Sequence, residues 1–219
     1  HKKQCRRQMT YKTINAQVPL LHLGLALLIA ISTCTLTSAA TADGDPGWSV
    51  DSSASSLHFI STKAGHIAEV HQFGQLSGSV DQAGLAKLDI SLGSVATGID
   101  IRNERMQSML FDVASFPIAT FTTEVDTAPM LAMEAGGQLE VALTGTLDLV
   151  GTQASLDADL VVTRIAADVF QLTTKAPIII NADRWRLVSG IESLRAIAGL
   201  PSISHAVPVT LSLRIKASS

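Results

Sequence analysis

Histidines and paired carboxylates are the side chains from which a metal site or an acid–base pair is built, and this chain offers both. His58, His66 and His71 fall within one short segment, where a metal would need at least two of them on the same side of the backbone. Strand side chains alternate between faces. His66 and His71 are an odd number of positions apart, so on one regular strand they point opposite ways unless a turn or bulge intervenes. His205 stands alone. Asp157 and Asp159 alternate with Leu156, Ala158 and Leu160, which reads as the solvated face of an amphipathic strand rather than a catalytic pair. No G-x-S-x-G, H-E-x-x-H, phosphate-loop or dinucleotide fingerprint follows residue 42. The expectation is therefore a protein that is not an enzyme, with no catalytic residues, no metal ligands and no cofactor.

Other chemistry-bearing groups suit binding. Arg102-Asn103-Glu104-Arg105 carries two guanidinium groups fit for a polar lipid head or an acidic partner, or else for a local network with Asp100 and Glu104. Arg184 and Arg186 flank Trp185, a cation–aromatic arrangement that suits the mouth of a pocket or a structural clasp. The stretch LFDVASFPIATF holds Phe111, Phe116 and Phe121, three of the six phenylalanines. Phe-Pro disfavours helix at Phe116 and Pro117 lacks an N–H, so the chain must leave a helix there and enter a strand. Asp112 is suited to accept backbone N–H bonds in that turn.

The elements that position these residues follow from alternation. LEVALTGTLDL places Leu139, Val141, Leu143, Leu147 and Leu149 on one face and Glu140, Thr144, Thr146 and Asp148 on the other. The same period runs through Leu88, Ile90 and Leu92, through Leu156 to Val162, and through Val207 to Ile215. Turns are predicted around Gly84, Gly151 and Ala166 to Asp168. Two stretches break the period. Residues 98–114 predict a short helix with Asp100 as N-cap and Ile101, Arg105 and Met109 at helical spacing. Residues 182–202 predict another through Ile191, Leu194, Ile197 and Ala198, ended by Gly199 and Pro201. Roughly eight amphipathic strands need one shared interior, which a closed barrel supplies while removing sheet edges. A two-sheet sandwich would bury the same residues.

The N-terminal stretch has a different character. Lys2, Lys3, Arg6, Arg7 and Lys12 precede the apolar run Leu20 to Ile31, and Ala40-Thr41-Ala42 fits a cleavage signal. Residues 1–42 are expected to be a signal peptide or a membrane tether, with residues 43–219 as one domain. Lipoprotein anchoring at Cys34 is the lesser expectation. Cleavage after Ala42 would remove both cysteines and leave 11 basic against 19 acidic side chains, a formal charge of about −8 that makes nucleic acid an unsuitable partner.

A family resemblance now enters. WSVDSSASSLHFISTKAG from Trp48, FGQLSGSV from Phe73, SVATGIDIRNERMQSMLFDVASFPIATF from Ser94 and LTGTLDLVGTQASLDADL from Leu143 together resemble the YceI-like proteins. Thr97, Gly98, Arg102, Phe111, Asp112, Phe116, Pro117 and Phe121 carry the most specific part of the match. The sequence departs from it at Asn103-Glu104-Arg105, where many members have Asp-x-His, and at Leu110, where a second Phe is usual. The resemblance implies an all-β fold, a single antiparallel, lipocalin-like barrel of roughly eight strands with two short helical insertions. It also implies secretion to the periplasm and an isoprenoid or other long-chain lipid as ligand.

Residue content supports a hollow interior, because after residue 42 the chain has two Trp, six Phe and no Tyr, set among Val, Leu, Ile and Ala. The expected pocket residues are Phe59, Phe73, Leu88, Ile90, Phe111, Phe116, Phe121, Leu143 and Trp185. A packed barrel acting as an accessory to a membrane redox or stress partner is the alternative. Transient membrane contact and pairing of two copies are left open.

Overall fold

The computed structural model describes residues 46–218. The predicted leader, its cleavage site and Cys34 lie outside the described residues. Among those described, every strand pairing is antiparallel and joins segments adjacent in the chain or closes the ring.

The wall is made of eight staves, four of them jointed. β1 (Pro46–Val50) and β2 (Ser56–Lys63) form the first, bent at the 3-10 turn Ser52–Ala54. β3 (Ile67–Phe73) and β4 (Leu76–Asp81) form the second. β5 (Leu85–Ser91) and β6 (Val95–Ala96) form the third, bent at Leu92–Ser94. β7 (Ile118–Glu124), β8 (Gln138–Leu149) and β9 (Thr152–Ala166) are unbroken. β10 (Val169–Thr174) and β11 (Ile178–Asn181) share the seventh, and β12 (Ala206–Ala217) is the eighth. The upper part of β12 pairs with β2 and its lower part with β1, so the last stave closes on the first. The eight-stranded antiparallel barrel expected from the alternation is therefore the fold, and the sandwich is not.

A meander sends its connections to alternate ends. The turn after β2, residues 97–117, the β8–β9 turn and residues 182–205 lie at one end, here the upper. The turn after β4, residues 125–137 and the β9–β10 turn lie at the lower. Two helices thus cap the upper end, α1 (Asp100–Arg105) and the later one of residues 188–197, while α2 (Ala128–Ala132) sits at the lower. The sequence did not predict α2, whose five residues are too few to display a helical period. The last helix is α3 (Val188–Ile197), and it ends as expected. Gly199 takes φ 63°, its N–H donates to Ala196 O at 3.1 Å, and Leu200 N–H donates to Arg195 O at 3.1 Å.

The segment before β7 differs from its expectation. Ile99, not Asp100, is the N-cap of α1, and Asp100 lies in the first turn. The backbone then widens into a π turn, Met106–Leu110, closed by Phe111 N–H to Met106 O at 3.0 Å. Met106 is buried, while Ile101 and Met109 of the expected helical stripe are exposed. Asp112 sits at φ 45°, and its backbone carbonyl, rather than the expected carboxylate, accepts Ser115 N–H at 2.9 Å and Phe116 N–H at 2.8 Å.

Apolar packing gathers at both ends. Leu92, Met106, Phe111, Trp185 and Ile191 form the upper cluster beneath the helices, and Met130, Val162, Phe170 and Ile215 form the lower one with Trp48. Arg164 fastens the lower end: its guanidinium donates to the carbonyls of Leu131 at 2.9 Å, Met133 at 2.5 Å and Ala167 at 2.5 Å, and lies 5.6 Å from the Phe170 ring centre. Asp51 pins the joint between β1 and β2, accepting Ser53 Oγ–H at 2.7 Å and pairing with Lys216.

Candidate functional site

Interior positions on the staves do not fill the barrel. They enclose a cavity of about 600 Å³ that runs from Trp48, Met130 and Val162 at the lower end to Ile99, Ile101 and Ser204 at the upper. Its wall is overwhelmingly aliphatic and aromatic. Of the nine expected pocket residues, Phe59, Phe73, Leu88, Ile90, Phe111, Phe121 and Leu143 line this cavity.

Phe116 and Trp185 do not. Phe116 is half-buried outside the lining, its ring edge 2.6 Å from where a side-chain carbon on Gly151 would stand, so it covers the β8–β9 turn. Trp185 is 1% exposed and locked into the wall: its Nε1–H donates to Leu147 O at 3.1 Å. Arg184 stacks at 5.1 Å from the Trp185 ring centre and donates to Ser155 O at 2.6 Å. That is the structural clasp rather than the mouth.

One lining feature escaped sequence reasoning. The Phe121 ring lies over Gly145 of β8, its Cε2 2.6 Å from where a Cβ would be. A side chain there would push the ring into the cavity.

Polar groups on the lining form two sets, one at the lower end with Lys87, Thr123, Asp126 and Thr127, and one at the upper end of β2 and β3. Inward parity along β3 gives Phe73, His71 and Glu69 in turn, opposite Leu57, Phe59 and Ser61 on β2. His66 falls in the turn before β3, so the opposite-face argument for His66 and His71 does not arise. His71 is 4% exposed; its Nε2 lies 2.9 Å from Ser61 Oγ and its ring centre 5.2 Å from that of Phe59. Burial, followed by the charge on Arg102, pushes the His71 pKa down.

Arg102 bonds neither Asp100 nor Glu104. It reaches across to β3, where Nη1–H donates to Glu69 Oε2 at 2.8 Å, and Nη2–H donates to Thr97 O at 2.5 Å. Lys63 Nζ joins the same Glu69 oxygen at 3.0 Å. Hydrogen bonding from Lys63, then the charge on Arg102, holds the Glu69 carboxyl below its ordinary range against the opposing effect of desolvation.

A YceI-like domain model matches residues 48–215. This chain belongs to the YceI-like family. The barrel is similar to a polyisoprenoid binding domain from Saccharophagus degradans implicated in plant cell wall breakdown. That match has 40% identity and a TM-score of 0.78, and covers 80% of this chain and 100% of that one. Two further structures share the fold. Burkholderia cenocepacia BcnA has 19% identity and a TM-score of 0.59, over 75% of this chain and 98% of that one. A Campylobacter jejuni YceI protein has 14% identity and a TM-score of 0.51, over 68% of this chain and 85% of that one. Comparison with curated protein sequences finds no match.

Proposed function

We propose that this YceI-like chain is a non-catalytic carrier, secreted to the periplasm, that holds a polyisoprenoid, an isoprenoid quinone or another long-chain amphiphile inside its barrel. The observation that carries this is the apolar cavity of about 600 Å³ along the barrel axis, a volume in the range of small-molecule sites. The 40% identical polyisoprenoid binding domain supports the ligand class. The same cavity favours the carrier over a packed accessory protein, whose interior would have no such space.

Energetics fit transfer rather than storage. Each buried CH₂ gains about 0.8 kcal/mol relative to water, but a bilayer offers the same gain, so barrel and membrane compete near parity. The test is to purify the full chain from cells without detergent, extract it with organic solvent and weigh the extract by mass spectrometry. A stoichiometric isoprenoid or long-chain lipid is expected. Repeated lipid-free preparations that also refuse lipid from vesicles would end the carrier reading.

A further inference from the structure

The staves do not hold one another along their whole length. β10 pairs with β9 as far as Thr174 opposite Leu160, and one more bond, Lys175 N–H to Asp159 O at 2.8 Å, ends that ladder. In the same register Pro177 would stand opposite Asp157, and proline has no N–H to donate. Beyond it the seventh stave continues as β11, which pairs with β12. Among the described residues no ladder joins β11 to β9.

Backbone parity shows what faces this break. Ala182 N–H donates to His205 O at 2.8 Å, in register with Ile180 opposite Val207 and Ile178 opposite Val209. The even-numbered residues of β11 thus bond β12, and Ile179 turns its N–H and C=O the other way. On β9 the odd-numbered residues turn toward the seventh stave, since Asp159 O meets Lys175 and Ser155 O accepts from Arg184 at 2.6 Å. Asp157 lies between them. An outer pocket of about 170 Å³ sits at this point, lined by Asp157, Asp159, Pro177 and Ile179 together with Ala158 and Ile178. Ala158 and Ile178 also line the main cavity, so their side chains are the partition between inside and outside. The break is bounded below by the Lys175 bond and above by the Arg184 clasp, four strand residues or roughly 13 Å apart.

We propose that this break is a lateral slot through which the apolar tail of the ligand slides into the barrel from the side, with the Arg184 clasp as its latch. β11 runs directly into the 3-10 turn Ala182–Trp185 that carries the clasp, and α3 follows, so release of the clasp joins the slot to the opening under the roof. A long tail moving broadside avoids threading the cavity end-on. This rests on the carrier reading and adds to it a route.

The experiment uses the full chain with Cys5→Ser and Cys34→Ser, stripped of lipid. The probe is a conjugated isoprenoid hydrocarbon carried in vesicles, whose arrival beside Trp48 on the cavity lining quenches indole fluorescence. Asp157→Cys and Ile179→Cys, both at exposed outer positions, are joined by a short bifunctional thiol reagent that reduction removes. Joining them should slow uptake in stopped flow about 10-fold or more, with recovery on reduction and equilibrium affinity held within about twofold. The same reagent across Asp148→Cys and Gln153→Cys, opposite each other in the β8–β9 ladder, should leave the rate unchanged. Arg184→Met, at an exposed position, should speed uptake several-fold. Uptake as fast with the slot joined as with it free overturns the slot alone. So does an equal slowing by the β8–β9 pair. Failure of the unjoined protein to bind the probe at all overturns the slot and the carrier reading together.

Discussion

The two ends of the barrel are closed by different means. At the lower end Phe170, 0% exposed, meets Trp48 edge-on with ring centres 6.4 Å apart, and Arg164 ties three loop carbonyls over the plug. At the upper end α1 and α3 lie across the opening, yet Ile99 and Ile101 both line the cavity and face solvent. A floor tied down by an arginine across three carbonyls suits stability, whereas a roof with exposed apolar side chains suits exchange.

Substitutions separate the two roles, beginning with the largest effect. Phe170→Ala empties the floor and should cost about 3–5 kcal/mol in chemical denaturation. If ligand affinity falls more than stability does, the floor is part of the binding site and the contrast breaks. Arg164→Met strands the carbonyls of Leu131, Met133 and Ala167 and should cost about 1–3 kcal/mol, read as a lower urea midpoint. Ile101→Ser, on the roof, should leave stability within about 0.5 kcal/mol while changing the release rate of a bound lipid several-fold in stopped-flow transfer to vesicles. An unchanged release rate would mean that lipid passes elsewhere.

The smallest effect concerns the wall between the ends. Hydrogen bonding from Lys216, then Ser53, lowers the Asp51 pKa from 3.8 to about 2. A carboxylate with a depressed folded-state pKa stabilises above its unfolded value and loses that contribution as pH falls through the folded one. Asp51→Asn should therefore be slightly less stable than the parent at neutral pH, with the gap closing between about pH 4 and pH 2. A gap that persists below pH 2 would assign the joint to Ser53 and Ser55 instead.

Much of the wall was legible in the sequence, and the reason is mechanical. LEVALTGTLDL alternates without interruption, and a strand with one dry and one wet face has a single register that buries its leucines. Six of the seven cavity-lining residues among the expected nine owe their placement to that parity; Phe111 lines the cavity from the end of the π turn instead. Phe116 and Trp185 were assigned by residue type, and an aromatic ring packs under a loop as readily as beside a ligand. His71 was within reach: it stands two residues before Phe73, so the parity that turns one inward turns the other. The π turn was not legible, because Met106–Leu110 departs from the α period by one residue that composition does not mark. Nor was the Arg102–Glu69 pair, which joins groups 33 residues apart through the pairing of β3 with β6.

The joints in four staves lie at one latitude. Gly74 N–H donates to Ser94 O at 3.0 Å, and Asp51 N–H donates to Arg214 O at 2.7 Å, three residues along β12 from where Leu211 N–H meets Thr174 Oγ1 at 3.4 Å. A break of this kind confines a shift of register to its own side. On those four staves, residues inserted or lost above the joint would reshape the mouth while leaving the pairings below it in register, so one foundation can support differently cut rims.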